Sequence, residues 1–287
     1  MAIPLPASKK KIRALLQREK FDVLHVQMPY SPLLAGRVVS AAGNKTAVVG
    51  TFHILPHGVL SSAGTRLLGT VLARNKRRFD LFFSVSEAAQ QFAKSHFGVT
   101  SLVMPNVVDI AKYRVGTPLK KYSDKRNIVF LGRLVERKGA RHLLEMVKQL
   151  LITTDDPTLA DSIRVIICGD GPLRAELTSF AQTIGAEVVF TGFLEEDDKA
   201  HYLASAEVAV YPATGGESFG IVLIEAMAAR SGVVLAGNNP GYSSVLSSIP
   251  EVLFDPHDAL SSSRLLQRIL TDEQFAVSVH ERQQELV

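Results

Sequence analysis

The sequence predicts an α/β protein built from two doubly wound parallel sheets, and three observations carry that expectation. Ten short apolar runs alternate with longer stretches of helical periodicity along the 287 residues. The runs are rich in Val, Ile and Leu without polar alternation, as parallel strands covered by helices on both faces should be. A polar stretch at 116–126, Gly-Thr-Pro-Leu-Lys-Lys-Tyr-Ser-Asp-Lys-Arg, breaks the alternation and reads as a linker. The length suits two such domains, placed at 1–116 and 117–287.

Taken in order, the first element is a basic helix over 8–20. Lys9, Lys10, Lys11, Arg13 and Arg18 surround an apolar face of Ile12, Leu15 and Leu16. Strands follow at 21–27, 47–53, 81–85 and 101–104, with a second basic cluster, Arg74-Asn75-Lys76-Arg77-Arg78, before the third. Beyond the linker, strands are expected at 127–132, 164–169, 188–191, 208–211, 233–236 and 252–254. Repeated βα order argues a doubly wound sheet in each half, with ligands received at strand carboxyl ends.

Composition bounds the function. The single cysteine, Cys168, lies in an apolar strand run, so it reads as buried and excludes an intramolecular disulfide. No apolar run reaches the roughly 18 residues of a membrane span, and no charged-then-apolar leader opens the chain. A cytoplasmic location is expected. Residues 1–116 hold 16 Lys and Arg against 5 Asp and Glu, a formal +11, whereas 117–287 hold 16 against 23, a formal −7. The first half should therefore prefer polyanions, and without a nucleic-acid-reading motif an acidic membrane surface is the better candidate.

The most informative stretch is Gly215-Gly216-Glu217-Ser218-Phe219-Gly220, followed by Ile221-Val222-Leu-Ile-Glu225. A strand stops at Pro212, a glycine turn follows, and a helix opens. Backbone N–H groups over Ser218, Phe219, Gly220, Ile221 and Val222 would face an anion, phosphate above all. A carboxylate beside them suits sugar hydroxyls better than phosphate. Glu217 and Glu225 with this turn describe a pocket for a phosphorylated sugar. Upstream, the strand at 127–132 ends in Gly132-Arg133, and Arg137-Lys138-Gly139 precede the next helix. Arg133 offers a planar fork and Lys138 a point charge, both suited to a diphosphate. A bare basic loop would otherwise read as solvated.

These motifs resemble the Glu-x7-Glu and Gly-Arg…Lys-Gly elements of retaining GT-B glycosyltransferases. The string GGESFGIVLIEAMAA is most similar to the phosphatidylinositol mannosyltransferases of family 4. The resemblance implies two Rossmann-like domains facing across a cleft and transfer of a hexose, mannose from GDP-mannose, to a phosphatidylinositol-like acceptor. Glu217 would contact the donor sugar, Glu225 the ribose, and Arg133 and Lys138 the donor phosphates. Gly132 and Gly169 would line the nucleotide side, although the Gly169-Asp170-Gly171 turn serves equally as a plain βα connection. Leu194 and Lys199 would meet the base, although a lone Lys on a helix is normally solvated. His53, closing Thr51-Phe52-His53, would stand beside sugar and acceptor. His25 matches a family His but reads as structural, since Gln27 replaces the second His of the usual pair.

The resemblance also implies that Lys9, Lys10, Lys11 and Arg13 touch anionic phospholipid at the inner face of the cell membrane. No metal or other cofactor is implied, basic residues replacing the cation, and no nucleic-acid partner. The first domain, with four strands against six, is expected to be incomplete: an opening strand, its glycine-rich loop and a further βα unit, roughly 60–90 residues at about thirty per unit, would be missing. The end of the chain, inside the helical run 272–287, would be early as well. The competing expectations are a non-catalytic sugar-nucleotide-binding fragment and, less favoured, a GT-B sugar-nucleotide epimerase. One departure concerns the backbone: Arg230 stands where the family has a glycine suited to positive φ.

Overall fold

A computed structural model of the chain describes residues 8–31, 34–53, 55 and 75–287. Expectations touching 1–7 and Arg74 lie outside those residues. The chain divides into two compact units, Met1–Asn106 and Val107–Val287. The stretch 116–126 packs within the second unit. Tyr122 is buried there, Leu119 donates its N–H to Ser205 Oγ at 2.8 Å, and Asn127 Nδ2 donates to the Tyr122 carbonyl at 2.7 Å.

The first unit holds β1 (Val23–Gln27), β2 (Ala47–Phe52), β3 (Leu81–Ser84) and β4 (Leu102–Val103) as a parallel sheet in the order β1-β2-β3-β4. Each strand lies beside its sequence neighbour, so the described sheet is wound in one direction and has no reversal point. Its core is aromatic. Phe52 is fully buried and sits 5.7, 6.0 and 5.5 Å, ring to ring, from Tyr30, Phe82 and Phe97. The expectation that every strand is covered on both faces fails here. β1 is exposed at Val23, His25 and Gln27, and both residues of β4 are exposed, because these are the edges of the described sheet.

The basic helix forms over Lys9–Glu19 and ends at Lys20 in the left-handed region, φ 50°. Ile12 is buried, but Leu15 is 45% exposed, so the apolar face is narrower than the sequence suggested. Lys9, Lys10, Lys11 and Arg13 all point to solvent. The second basic cluster is corrected more strongly. Lys76 donates to the Gly98 carbonyl, and Arg78 donates to the carbonyls of Gly43 and Thr46, each at 2.6 Å. Those side chains tie loops together, and of the described cluster only Arg77 is an exposed cation.

The second unit holds β5 (Arg126–Leu131), β6 (Ile163–Cys168), β7 (Glu187–Gly192), β8 (Val208–Tyr211), β9 (Val233–Gly237) and β10 (Leu253–Phe254). Their order, β10-β9-β8-β5-β6-β7, reverses between β5 and β8. This is the doubly wound arrangement in which ligands bind outside the strand carboxyl ends at the reversal. β6, β8 and β9 are buried at every residue, which explains why they read as uninterrupted apolar runs. A buried polar clamp closes the far side. Gln283, with no exposed surface, accepts from Val234 N–H at 2.9 Å and donates to the Val234 carbonyl at 2.8 Å.

Candidate functional site

The loops leaving β5, β6 and β7 are laced together at their strand ends. Gly132 N–H donates to the Cys168 carbonyl at 2.9 Å, Leu134 N–H to the Asp170 carbonyl at 2.9 Å, and Gly169 N–H to the Gly192 carbonyl at 2.8 Å. Gly169 is needed for this. Its φ is 140°, and a Cβ there would lie 1.9 Å from the Gly132 carbonyl oxygen. The close approach of these two loops floors a pocket of about 400 Å³.

That pocket gathers Gly132, Arg133 and Gly169 from the loops, Leu194 and Lys199 from beyond β7, and Val222 and Glu225 from the helix Ile221–Ala228. Seven residues singled out separately in the sequence, from four connections, thus share one cavity at the reversal. Cys168 lines it from beneath, buried, with burial pushing its thiol up to about 12. Phe193 also lines it and is 76% exposed. A large apolar ring left in solvent beside a pocket is suited to stacking on a planar ligand. It was legible only as the neighbour of Leu194.

Glu225 is the buried acid of the pocket. Burial raises its carboxyl above the usual range, a shift partly offset by Tyr113 and by the lysines nearby. Tyr113 donates to Glu196 Oε1 at 3.2 Å, Glu196 pairs with Lys199, and Lys112 stands 3.6 Å from Glu196. Lys199 is therefore held by an acid rather than freely solvated. Sequence reasoning missed Tyr113, Glu196 and Lys112, which sit on segments far apart in the chain.

Glu217 belongs to a neighbouring cluster. The helix Ile221–Ala228 is entered through Gly220, φ 127°, and the preceding turn rests on Gly241, where a Cβ would lie 2.3 Å from the Glu217 carbonyl oxygen and 2.9 Å from Phe219 N. With its backbone so placed, Glu217 meets two cations. Arg137 Nη1 lies 2.5 Å and Lys138 Nζ 2.9 Å from the same oxygen, Oε1. Lys138, assigned from sequence to phosphate, is thus paired with Glu217, and Arg137 was not singled out at all. Ser218 and Ile221 flank this turn, Ser218 half-buried and Ile221 exposed.

In the first unit, His53 follows β2 and is half-buried. Its Nε2 donates to Gln27 Oε1, since a carboxamide oxygen can only accept. Gln27 Nε2 lies 3.3 Å from His25 Nε2, which also lies 2.7 Å from Thr51 Oγ1. Gln27, read as a departure from the family pair, is therefore the link between the two histidines. Burial, and then the neighbouring His25, hold the His53 imidazole below its usual value. Arg230 does adopt the positive φ expected of a glycine, 56°.

A strand-order reversal with a pocket at its strand ends is the frame of a doubly wound ligand site, and the chain belongs to the group 1 glycosyltransferases. The family profile described as glycosyl transferases group 1 matches residues 117–286, and that of glycosyltransferase family 4 matches 2–112. The chain is 30% identical, over 98% of its length, to a phosphatidyl-myo-inositol mannosyltransferase of Mycolicibacterium smegmatis, covering 70% of that protein. It covers 58% of the Mycobacterium tuberculosis counterpart, also at 30% identity. A Corynebacterium glutamicum relative, 26% identical over 94% of the chain and covered to 72%, is a GDP-mannose-dependent monoacylated α-(1-6)-phosphatidylinositol monomannoside mannosyltransferase. Among solved structures, Anabaena HepE in complex with UDP superimposes with a TM-score of 0.77 over 97% of the chain and 76% of HepE, at 19% identity. That likeness establishes the GT-B class of fold.

Proposed function

We propose that the protein is a retaining hexosyltransferase that moves mannose from GDP-mannose to a phosphatidylinositol-like lipid. The observation that carries this reading is the pocket at the β5–β8 reversal, which Arg133, Lys199 and Glu225 line together with the exposed Phe193 ring. The names of the similar mannosyltransferases support the choice of sugar, base and acceptor. Arg133 would bind the diphosphate and stabilise it as it leaves, Glu217 would hold the sugar, and Glu225 the ribose. The helix-start residues Ser218, Phe219, Gly220, Ile221 and Val222 would face the phosphates. The acceptor hydroxyl would attack on the face the diphosphate leaves, with His53 beside it.

Contact with the membrane would be peripheral, through Lys9, Lys10, Lys11 and Arg13 on the exposed helix. No described helix is long and apolar enough to cross a membrane. Incubation with radiolabelled GDP-mannose and vesicles containing phosphatidylinositol tests the reading, and labelled lipid is the expected product. GDP binding without transfer would favour a sugar-nucleotide-binding role. Transfer only to a water-soluble saccharide would overturn the lipid acceptor.

A further inference from the structure

The two cations on Glu217 are placed unequally with respect to the donor site. Lys138 closes the same β5-to-helix connection that begins with Arg133 at the pocket wall. Arg137 is fixed to the opposite loop, its carbonyl accepting from Thr214 N–H at 3.1 Å. All three side chains are largely withdrawn from solvent, Glu217 being 13%, Lys138 16% and Arg137 28% exposed. A carboxylate so placed needs a counter-ion, because water can screen it only weakly. The Glu217 backbone rests on Gly241, which fixes where its side chain starts.

These constraints meet when a diphosphate enters. A compact ammonium is a strong phosphate ligand, and Lys138 is already spoken for by Glu217. Were Lys138 the only partner, its loss would leave a part-buried carboxylate without a cation. Arg137 on the same Oε1 removes that obstacle.

We propose that Glu217 and the donor diphosphate compete for Lys138, and that Arg137 is the positioning residue that keeps Glu217 in place when Lys138 is released to the phosphates. The inference rests on the donor-site reading above and adds a residue and an exchange that reading does not require. Its signature is a dependence between substitutions. Glu217→Gln frees Lys138 and strengthens binding of a diphosphate. Arg137→Gln makes Glu217 cling to Lys138 and weakens it, but only while Glu217 is present.

Calorimetric titration of the whole chain with GDP, and with inorganic pyrophosphate as a base-independent probe, tests this. E217Q should bind about threefold to tenfold tighter than the parent, and R137Q weaker by a similar factor, the size expected of one part-buried ion pair. In the E217Q background, R137Q should change affinity by less than about twofold, a non-additivity that marks coupling through Glu217. R137K, which keeps a cation on Glu217, should restore binding and guards against misfolding as the cause. Equal weakening by R137Q in both backgrounds would mean that Arg137 touches phosphate directly, overturning the exchange while leaving the donor site intact. Failure of the parent chain to bind either probe would overturn the donor-site reading itself, and the exchange with it.

Discussion

The two units use the same βα grammar and finish it differently. In the second, strand order reverses between β5 and β8, three strands are buried throughout, and seven sequence-nominated residues converge on one pocket. In the first, the described strands run β1-β2-β3-β4 without reversal, both edges are exposed, and the polar residues form a linear chain from Thr51 through His25 and Gln27 to His53. A reversal drives adjacent crossovers to opposite faces and opens a crevice. A sheet wound one way offers only its strand ends. The difference teaches that a concave site comes from topology, and that the acids and cations then decide what it holds.

The largest effect that would sharpen this contrast is on stability. Gln283→Leu strands two buried backbone groups of Val234, which should cost about 2–4 kcal/mol. Hydrogen exchange should accelerate in β9 and leave β2 unchanged. Equal acceleration in both strands would mean that the two units do not unfold separately.

A smaller effect, of opposite sign, is expected in the pocket. The folded carboxyl of Glu225 titrates above its unfolded value, chiefly because it is buried. Its contribution to stability is then fully present below the ordinary glutamate range and lost as pH rises through the raised value. Glu225→Gln should therefore melt higher than the parent at pH 8, the gap closing towards pH 4.5. A gap that does not vary with pH would contradict this assignment.

The smallest effect belongs to the first unit. Lys9, Lys10 and Lys11 open the helix Lys9–Glu19, where cations oppose the macrodipole and no acid occupies the first turn. Replacing all three with Gln should leave stability unchanged or raise it by about 1 kcal/mol, while weakening sedimentation with acidic vesicles. Destabilisation would show that the lysines serve the fold rather than a surface.

Much of this was legible in the sequence, and the omissions have a common cause. All ten described strands were found within a few residues, and β6, β8 and β9, buried throughout, write themselves most plainly as apolar runs. Gly132, Arg133, Gly169 and the Glu217–Glu225 turn carried local signals, a glycine beside a strand end or an acid beside a helix start. Arg137 carried none, since its partner Glu217 is 80 residues away and no spacing announces such a pair. Tyr113 and Glu196, 83 residues apart, were hidden for the same reason. Lys76 and Arg78 failed in reverse, looking like a basic patch while their carbonyl partners lay elsewhere in the chain.

The central proposal is that the pocket at the β5–β8 reversal holds the nucleoside diphosphate. Calorimetric titration of the whole chain with GDP tests it most directly, comparing Arg133→Ala, at the pocket wall, with His53→Ala in the first unit. The account predicts that Arg133→Ala weakens GDP binding at least about tenfold, as loss of a charge-assisted contact should. His53→Ala should stay within about twofold of the parent, because free GDP carries no sugar for it to meet. Parent-like binding by Arg133→Ala, or an equal loss in His53→Ala, would contradict the account.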